Sequence, residues 1–367
     1  MGGADMAQPK SVVGLDVHAT QTHACLLCPE TGELRSRRLS GPPRRALDFL
    51  EGLDAAILAV YEAGPTGFGL ARGGAERRLD VRVCAPGSIP RAPSDRIKTD
   101  RRDAERLARL CLAGELRFVR VPSPEEERFR DLVRAREAIR ADLMRARHRL
   151  GKFLLRRELR WEGPGSAWTQ AHWRWLEAIE FADSPSRAVL EDYLAAVATL
   201  QQRRSVSERA IEELWPQSPW AETIARLRCL RGINTLTALG LCAEAGDLRR
   251  FERPAALMAY FGIVPSEHSS GERRQRGPIT KAGSPHARRL LVEAAHHYRH
   301  HPRVGGALEQ RQRGVDPRAC EIGWRAQRRL YRRWQRLRVE RGKPANVVRI
   351  ALARELGCFV WEVGQLR

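Results

Sequence analysis

The chain is poor in lysine, and its acids fall well short of its bases. Of its 65 basic residues only five are lysine (Lys10, Lys98, Lys152, Lys281 and Lys343), and 44 Asp+Glu leave a formal charge of +21 over 367 residues. It also lacks long apolar runs, none approaching the ~20 residues that a bilayer-spanning helix needs. The first ten residues do not show the basic-then-apolar layout of a secretory leader. Both absences point to a cytoplasmic protein with no membrane partner. The eight cysteines are scattered, which suits reduced thiols rather than a disulfide framework. Cys25 and Cys28 form a C-x-x-C. No second pair follows at zinc-finger spacing, and on a strand positions three apart face opposite sides.

What is abundant is arginine. A basic surplus of this size suits a polyanionic partner, because each neutralised phosphate releases condensed counterions. Guanidinium can also grip phosphate oxygens through two parallel hydrogen bonds, where an ammonium acts as a point charge. A basic surface kept for solubility is the alternative. With 43% hydrophobic residues the chain can bury a real core, and its length suits two or three domains.

Three domains are expected: residues 10–115, 116–220 and 221–367. In the first, strands are read at Ser11–Val17, Thr22–Leu27, Glu33–Leu39, Ala55–Glu62 and Val81–Ala85, with helices at Pro43–Gly52, Thr66–Arg78 and from Asp100 onward. That order is an α/β pattern with a mixed sheet. In the second, apolar residues recur three and four apart from Phe129 to Phe153, interrupted by Arg136, and again from Leu190 to Leu214. Two long helices follow, separated by a Trp-rich linker. An antiparallel hairpin, an oligomerising coiled coil and an ordinary helical domain all fit this pattern. The third domain reads as mostly α. Its segment Leu230–Phe251 resembles a helix-hairpin-helix, in which backbone N–H groups at a helix start hold phosphates. Gly232 and Asn234 are its turn residues, with Asn234 in the left-handed region. A Gly/Ser/Arg-rich loop (Gly262 to Gly283), a helix from Pro285 to Arg299, a basic helix from Cys320 to Arg341 and a final amphipathic segment complete the chain.

Four acids stand out by placement. Asp16 closes the first strand and Glu62 the fourth, each beside apolar residues, while Asp100 and Asp103 open a helix. Residues three apart on a helix share a face. In an RNase H-like sheet the first and fourth strands are neighbours and the last helix packs on them, which would gather all four acids. Clustered carboxylates repel unless a cation lies between them. Hard oxygen donors favour Mg²⁺ or Mn²⁺, and such ions can stabilise the attacking and leaving oxygens of a phosphodiester. The same spacing also suits Asp100 as a helix N-cap and Asp103 as a first-turn acid favoured by the dipole. His18 and His286 lie near the proposed sites and are read as packing residues or phosphate contacts.

Several motifs in order resemble those of one family. They are Gly14-Leu15-Asp16-Val17-His18, Tyr61-Glu62-Ala63-Gly64-Pro65-Thr66-Gly67 and Lys98-Thr99-Asp100-Arg101-Arg102-Asp103-Ala104, then the stretch from Ala259 to Gly271, Arg276-Gly277-Pro278-Ile279-Thr280-Lys281-Ala282-Gly283 and Arg288-Arg289-Leu290-Leu291. Together they resemble the DEDD insertion-sequence transposases, the one-ten family of bacterial mobile elements. The resemblance implies a RuvC-like first domain that binds divalent metal through Asp16, Glu62, Asp100 and Asp103. It also implies a C-terminal transposase domain whose nucleophile is the serine before a glycine, Ser270 before Gly271, with Ser269 its immediate neighbour. Lys98, Arg101, Arg102, Gly232, Asn234, Arg273, Arg274, Arg276, Lys281, Arg288 and Arg289 are the expected nucleic-acid contacts. The implied partners are donor and target double-stranded DNA, a structured guide (bridge) RNA, and further copies of the chain as dimer and tetramer, on the bacterial nucleoid. A metal-dependent nuclease or Holliday-junction resolvase using the four acids alone, and a non-catalytic nucleic-acid-binding protein on a decayed scaffold, are the competing readings.

Overall fold

The computed structural model of the chain describes residues 11–53, 56–90, 99–267 and 276–367. It divides into two compact units, residues 1–123 and 124–367.

In the first unit the elements run β1 (Ser11–Val17), β2 (Gln21–Leu27), β3 (Leu34–Ser40), α1 (Arg45–Glu51), β4 (Ile57–Glu62), α2 (Gly69–Glu76), β5 (Asp80–Cys84) and α3 (Asp100–Leu112). The sheet order is β3-β2-β1-β4-β5. β1, β2 and β3 form an antiparallel meander, whereas β4 lies parallel to both β1 and β5. The mixed sheet and the adjacency of the first and fourth strands are as the sequence predicts. α2 starts three residues later than expected. A turn closes first, with Gly67 N–H donating to the Gly64 carbonyl and the buried Tyr61 hydroxyl donating to the carbonyl of Gly67.

The two faces of the sheet are covered differently. Val13, Leu15, Ala59, Tyr61, Val81 and Val83 pack against α1 and α2 through Ala46, Leu47, Leu50, Leu70 and Ala71. The other face meets α3, where Leu107 packs with Val60 and Cys84, and Ala108 with Val12 and Leu27. α3 lies unusually close to β1: a Cβ on Gly14 would stand 2.0 Å from the Ala104 carbonyl oxygen and 2.7 Å from the Ala108 nitrogen. Only glycine fits that contact. Residues after α3 stay with this unit, since Val119 N–H donates to the Val83 carbonyl and Phe118 bridges to Cys84. The expected boundary at 115 therefore moves to 123.

The second unit begins with α4 (Pro124–Leu155), α5 (Gln170–Glu177) and α6 (Ser184–Leu214). α4 and α6 are antiparallel. Arg136 near the start of α4 pairs with Glu208 near the end of α6, and the Phe153 ring meets the Tyr193 ring edge-on. Arg136 breaks the apolar stripe because its partner lies across the hairpin. The far half of this hairpin has its own core of Leu143, Ala146, Leu150, Phe153, Leu176, Leu190 and Val197. Its near half is different: Val133 and Ile211 belong to the same core as the C-terminal helices, with Phe129 and Leu132 packed against it. The middle region and the C-terminal region therefore share one interior rather than separating at residue 220.

That interior is built from α7 (Ala221–Leu227), α8 (Thr235–Ala245), α9 (Pro254–Tyr260), α10 (Pro285–Ala295), α11 (Gly306–Gln312), α12 (Pro317–Trp334) and α13 (Ala345–Gly364). α8 is buried on nearly every side, and α13 contributes Val348, Leu352, Leu356, Val360 and Val363. Between α9 and α10 lies a two-stranded hairpin, β6 (Pro265–Glu267) with β7 (Arg276–Ile279), where the sequence suggests only a loop. Asn234 is the N-cap of α8, its Oδ1 accepting from the Thr237 N–H at 2.9 Å, and its φ of −96° is not left-handed. The positive φ of that turn falls on Gly232. Among the described residues no helix is long and apolar enough to cross a membrane.

Gly14→Ala tests the α3–β1 contact. The added methyl forces the helix off the strand, and denaturant unfolding should show a loss of about 2–3 kcal/mol. An unchanged midpoint would contradict this packing.

Candidate functional site

The close seating of α3 determines where the acids go. β1 and β4 pair in parallel with Leu15 opposite Tyr61, so the next step of the ladder sets Asp16 beside Glu62. Alternation turns Leu15 and Tyr61 into the core under α1 and α2, and Asp16 and Glu62 to the face that carries α3. α3 begins there. Its N-cap is Thr99, whose hydroxyl accepts from the Arg102 N–H. Asp100 is therefore the first helical residue, not the cap, and its carboxylate is free for other partners.

Those partners converge. His18 Nε2 is 3.2 Å from Asp16 Oδ2 and 3.8 Å from Asp100 Oδ1. Gln21 Nε2 donates to Asp100 Oδ2 at 3.1 Å, and His23 Nε2 lies 3.7 Å from the same oxygen. Asp16, His18 and Asp100 each offer a ligand atom, and the three atoms lie within 4.8 Å of one another. Asp103 sits one turn on, paired with Arg106 at 3.3 Å. Glu62 is exposed at the end of β4 and stands outside the three-atom group. Burial raises the pKa of Asp16 above that of an ordinary aspartate. The charge and hydrogen bond of His18 oppose this, and the charges of Asp100 and Asp103 reinforce it. A half-buried carboxylate held among other acids is relieved by a cation.

His18, Gln21 and His23 were not singled out as partners of Asp100 from the sequence. The signal was present in the hairpin: His18 is two residues after Asp16, and the antiparallel register sets His23 directly across from it. Arg101 and Arg102 are exposed on the first turn of α3.

In the second unit, Ser269, Ser270, Gly271, Arg273 and Arg274 lie outside the described residues, as does Lys98 in the first. The neck from which that serine segment departs is described. Gly262 and Gly283 both have positive φ, and a Cβ on either would stand within 2 Å of a carbonyl oxygen, that of Ala282 or Tyr260. Lys281 is exposed, while its N–H donates to the Gly262 carbonyl. Arg276 belongs to β7. Two expected phosphate contacts are engaged internally. Arg288 Nη1 donates to the carbonyls of Phe261, Ala282 and Gly283, closing the neck. Arg289 pairs with Glu293 at 2.7 Å and with Glu137 at 2.5 Å. Gly232 lies against the backbone of Ala294, and Asn234 is exposed.

Beside this neck, Glu244 of α8 is only 9% exposed, with His286 Nδ1 at 3.4 Å and Arg134 at 3.4 Å. Burial pushes its carboxyl up, but the hydrogen bonds and charges of His286 and Arg134 outweigh that and hold it down to about 2.

Residues 13–157 match the DEDD model of IS110 transposases, and residues 224–308 match the Transposase IS116/IS110/IS902 family. The transposase y4qE of Sinorhizobium fredii is 41% identical over 88% of this chain and 79% of its own length. The transposase for insertion sequence element IS1533 of Leptospira borgpetersenii is 29% identical over 91% of this chain and 98% of its own. A mixed sheet bearing the acid motifs, followed by a helical transposase region, defines the class as a DEDD transposase, an enzyme that cuts and rejoins DNA. The chain belongs to the IS110 family of insertion-sequence transposases.

The Glu244 contacts give a pH prediction. Because the folded carboxyl is held below its ordinary value of 4.5, its stabilisation is present above that pH and is lost as pH falls toward about 2. Glu244→Gln should lower stability at pH 7 and flatten the loss between about pH 4.5 and 2 in denaturant titrations. A variant with the same acid limb as the parent would contradict the pairing.

Proposed function

We propose that this transposase moves an insertion sequence by cutting and rejoining DNA through two chemical parts, a cation-binding acid cluster and a serine nucleophile. The observation that carries the first part is the convergence of Asp16, His18 and Asp100, with Asp103 one turn away. The donor set fits a divalent cation: two carboxylates from separate elements, one of them half-buried with a raised pKa. Asp16 and Asp100 would hold the ion, with Asp103 and Glu62 completing the DEDD set. Mg²⁺ suits the oxygen donors. When bound, the ion supplies Lewis-acid stabilisation of the charge that develops on the phosphate oxygens.

The second part rests on the family resemblance at Ser266-Glu267-His268-Ser269-Ser270-Gly271. Ser270 Oγ would attack phosphorus; the new O–P bond forms, the bond to the leaving sugar oxygen breaks, and the hydroxyl proton passes to a base. The phosphoserine link conserves the bond energy, so a new strand can be joined without ATP. A narrow neck held by Gly262, Gly283 and Arg288 supports this reading, because a nucleophile needs a rigid base to be delivered accurately. Lys281, Arg101 and Arg102 are exposed and suited to phosphate contacts, and the turn before α8 fits a helix-hairpin-helix role.

Guidance by a structured bridge RNA, and assembly as a dimer that pairs into a tetramer, belong to the same reading. They follow the family resemblance and the chain's surplus of arginine. Donor and target would then be chosen by base pairing, while the protein holds the nucleic-acid backbone.

The test is a strand-transfer reaction with Mg²⁺, donor and target DNA, and RNA transcribed from the flanking sequence, quenched in denaturant. Wild type should leave protein covalently attached to DNA, and Ser270→Ala should leave none. Cleavage without an adduct, equal in both proteins, would make the chain a nuclease that uses the acids alone.

A further inference from the structure

α12 and the π-helical turn that continues it (Gln335–Glu340) carry two parallel rows of arginine. Arg325, Arg329 and Arg333 recur every four residues, as do Arg328, Arg332 and Arg336. Each row therefore climbs the helix in steps of about 6 Å, close to the spacing of neighbouring phosphates along a nucleic-acid strand. The two rows differ in their partners. Glu362 pairs with Arg325 and Glu355 with Arg329, while Arg333 Nε lies 3.0 Å from Glu355 Oε2. α13 thus pins the inner row. Arg328, Arg332 and Arg336 are exposed, and among the described residues none has an acidic partner within 4 Å.

Both rows line an open groove of about 870 Å³ between α12 and α13, with six arginines against two glutamates. Like charges four apart on a helix repel and weaken it slightly, so the outer row does not serve stability. Among the described residues that line the groove the one ring, Phe359, is buried in the core, and the exposed Trp324 of α12 is not part of that lining. Stacking platforms are what recognition of unpaired bases relies on.

We propose that this groove seats the sugar-phosphate backbone of duplex DNA, with the outer row on successive phosphates and the inner row fixing the helix that presents them. The proposal rests on the chain's acting on DNA and is independent of how the strands are cut. Arginine's planar fork gives each contact two parallel hydrogen bonds. The contact is to backbone alone, so it is indifferent to sequence.

The experiment measures full-length protein binding a labelled random-sequence duplex by fluorescence anisotropy across a salt series. Each neutralised phosphate contributes about 0.9 to the slope of log K against log salt. The triple variant Arg328→Gln, Arg332→Gln, Arg336→Gln should lose about 2 to 3 from that slope and bind at least tenfold more weakly near ~0.1 M salt. The matching triple lysine variant should keep most of the slope. A thermal midpoint equal to or above wild type would show the glutamine variant folded. An unchanged slope and affinity overturns the proposal, and so does a loss confined to a structured RNA or an acidic protein. Ser270→Ala, which removes no charge, should keep the full slope. Failure of the adduct reaction therefore leaves this result standing, and the reverse holds too.

Discussion

The first unit depends on the absence of a side chain at Gly14. α3 comes down on β1 until backbone meets backbone, and the hydrophobic underside of the helix, Ala104, Leu107 and Ala108, is buried by that approach. Dispersion and burial fix the middle of the helix, and the first turn is carried along as a rigid body. Asp100 and Asp103 are thereby delivered to the end of β1, where Asp16 stands. A carboxylate cluster is electrostatically unfavourable, so it persists only where other forces over-determine it. Here those forces are apolar contacts within one helical turn of the acids.

Much of this was legible in the sequence. β1 was readable to the residue because a run of β-branched and apolar residues ends abruptly in an acid and a histidine. α4 and α6 were readable because apolar residues recur at three-four spacing from Phe129 to Phe153 and from Leu190 to Leu214, a period that fits a helix and not a strand. The placement of Asp16 and Glu62 near the ends of apolar strands, and of Asp100 and Asp103 at a helix start, is the same in the sequence reading and in the structure. What escaped the sequence depends on pairing across distance. His18 and His23 became relevant only once the β1–β2 register was known. Thr99 took the cap that Asp100 also suited, because its backbone is extended while Asp100 is already helical. The β6–β7 hairpin was missed because strands of three and four residues are too short to show alternation. The join of the middle and C-terminal regions was hidden because one stripe on α4 serves two cores in succession.

Composition also hides how arginine is divided. Arg136 and Arg289 neutralise glutamates inside the second unit, and Arg288 holds three backbone carbonyls at the neck of the serine segment. Arg325, Arg329 and Arg333 are tied to α13. The charge offered to a polyanion comes from a smaller set, exposed in rows or at helix starts. The guanidinium group serves both purposes, since its planar donors suit a carbonyl, a carboxylate or a phosphate alike. The preference for arginine over lysine throughout the chain is consistent with this double use.

In the proposed reading, α3, seated on Gly14, assembles one cation site from Asp16 and Asp100. Binding of Mn²⁺ to the full-length protein, followed by electron paramagnetic resonance without nucleic acid, tests it most directly. Wild type and Ser270→Ala should take up the ion alike. Asp16→Asn, Asp100→Asn and Gly14→Ala should each lose that uptake, the last without removing any ligand. Undiminished Mn²⁺ binding by the two aspartate variants would contradict the account.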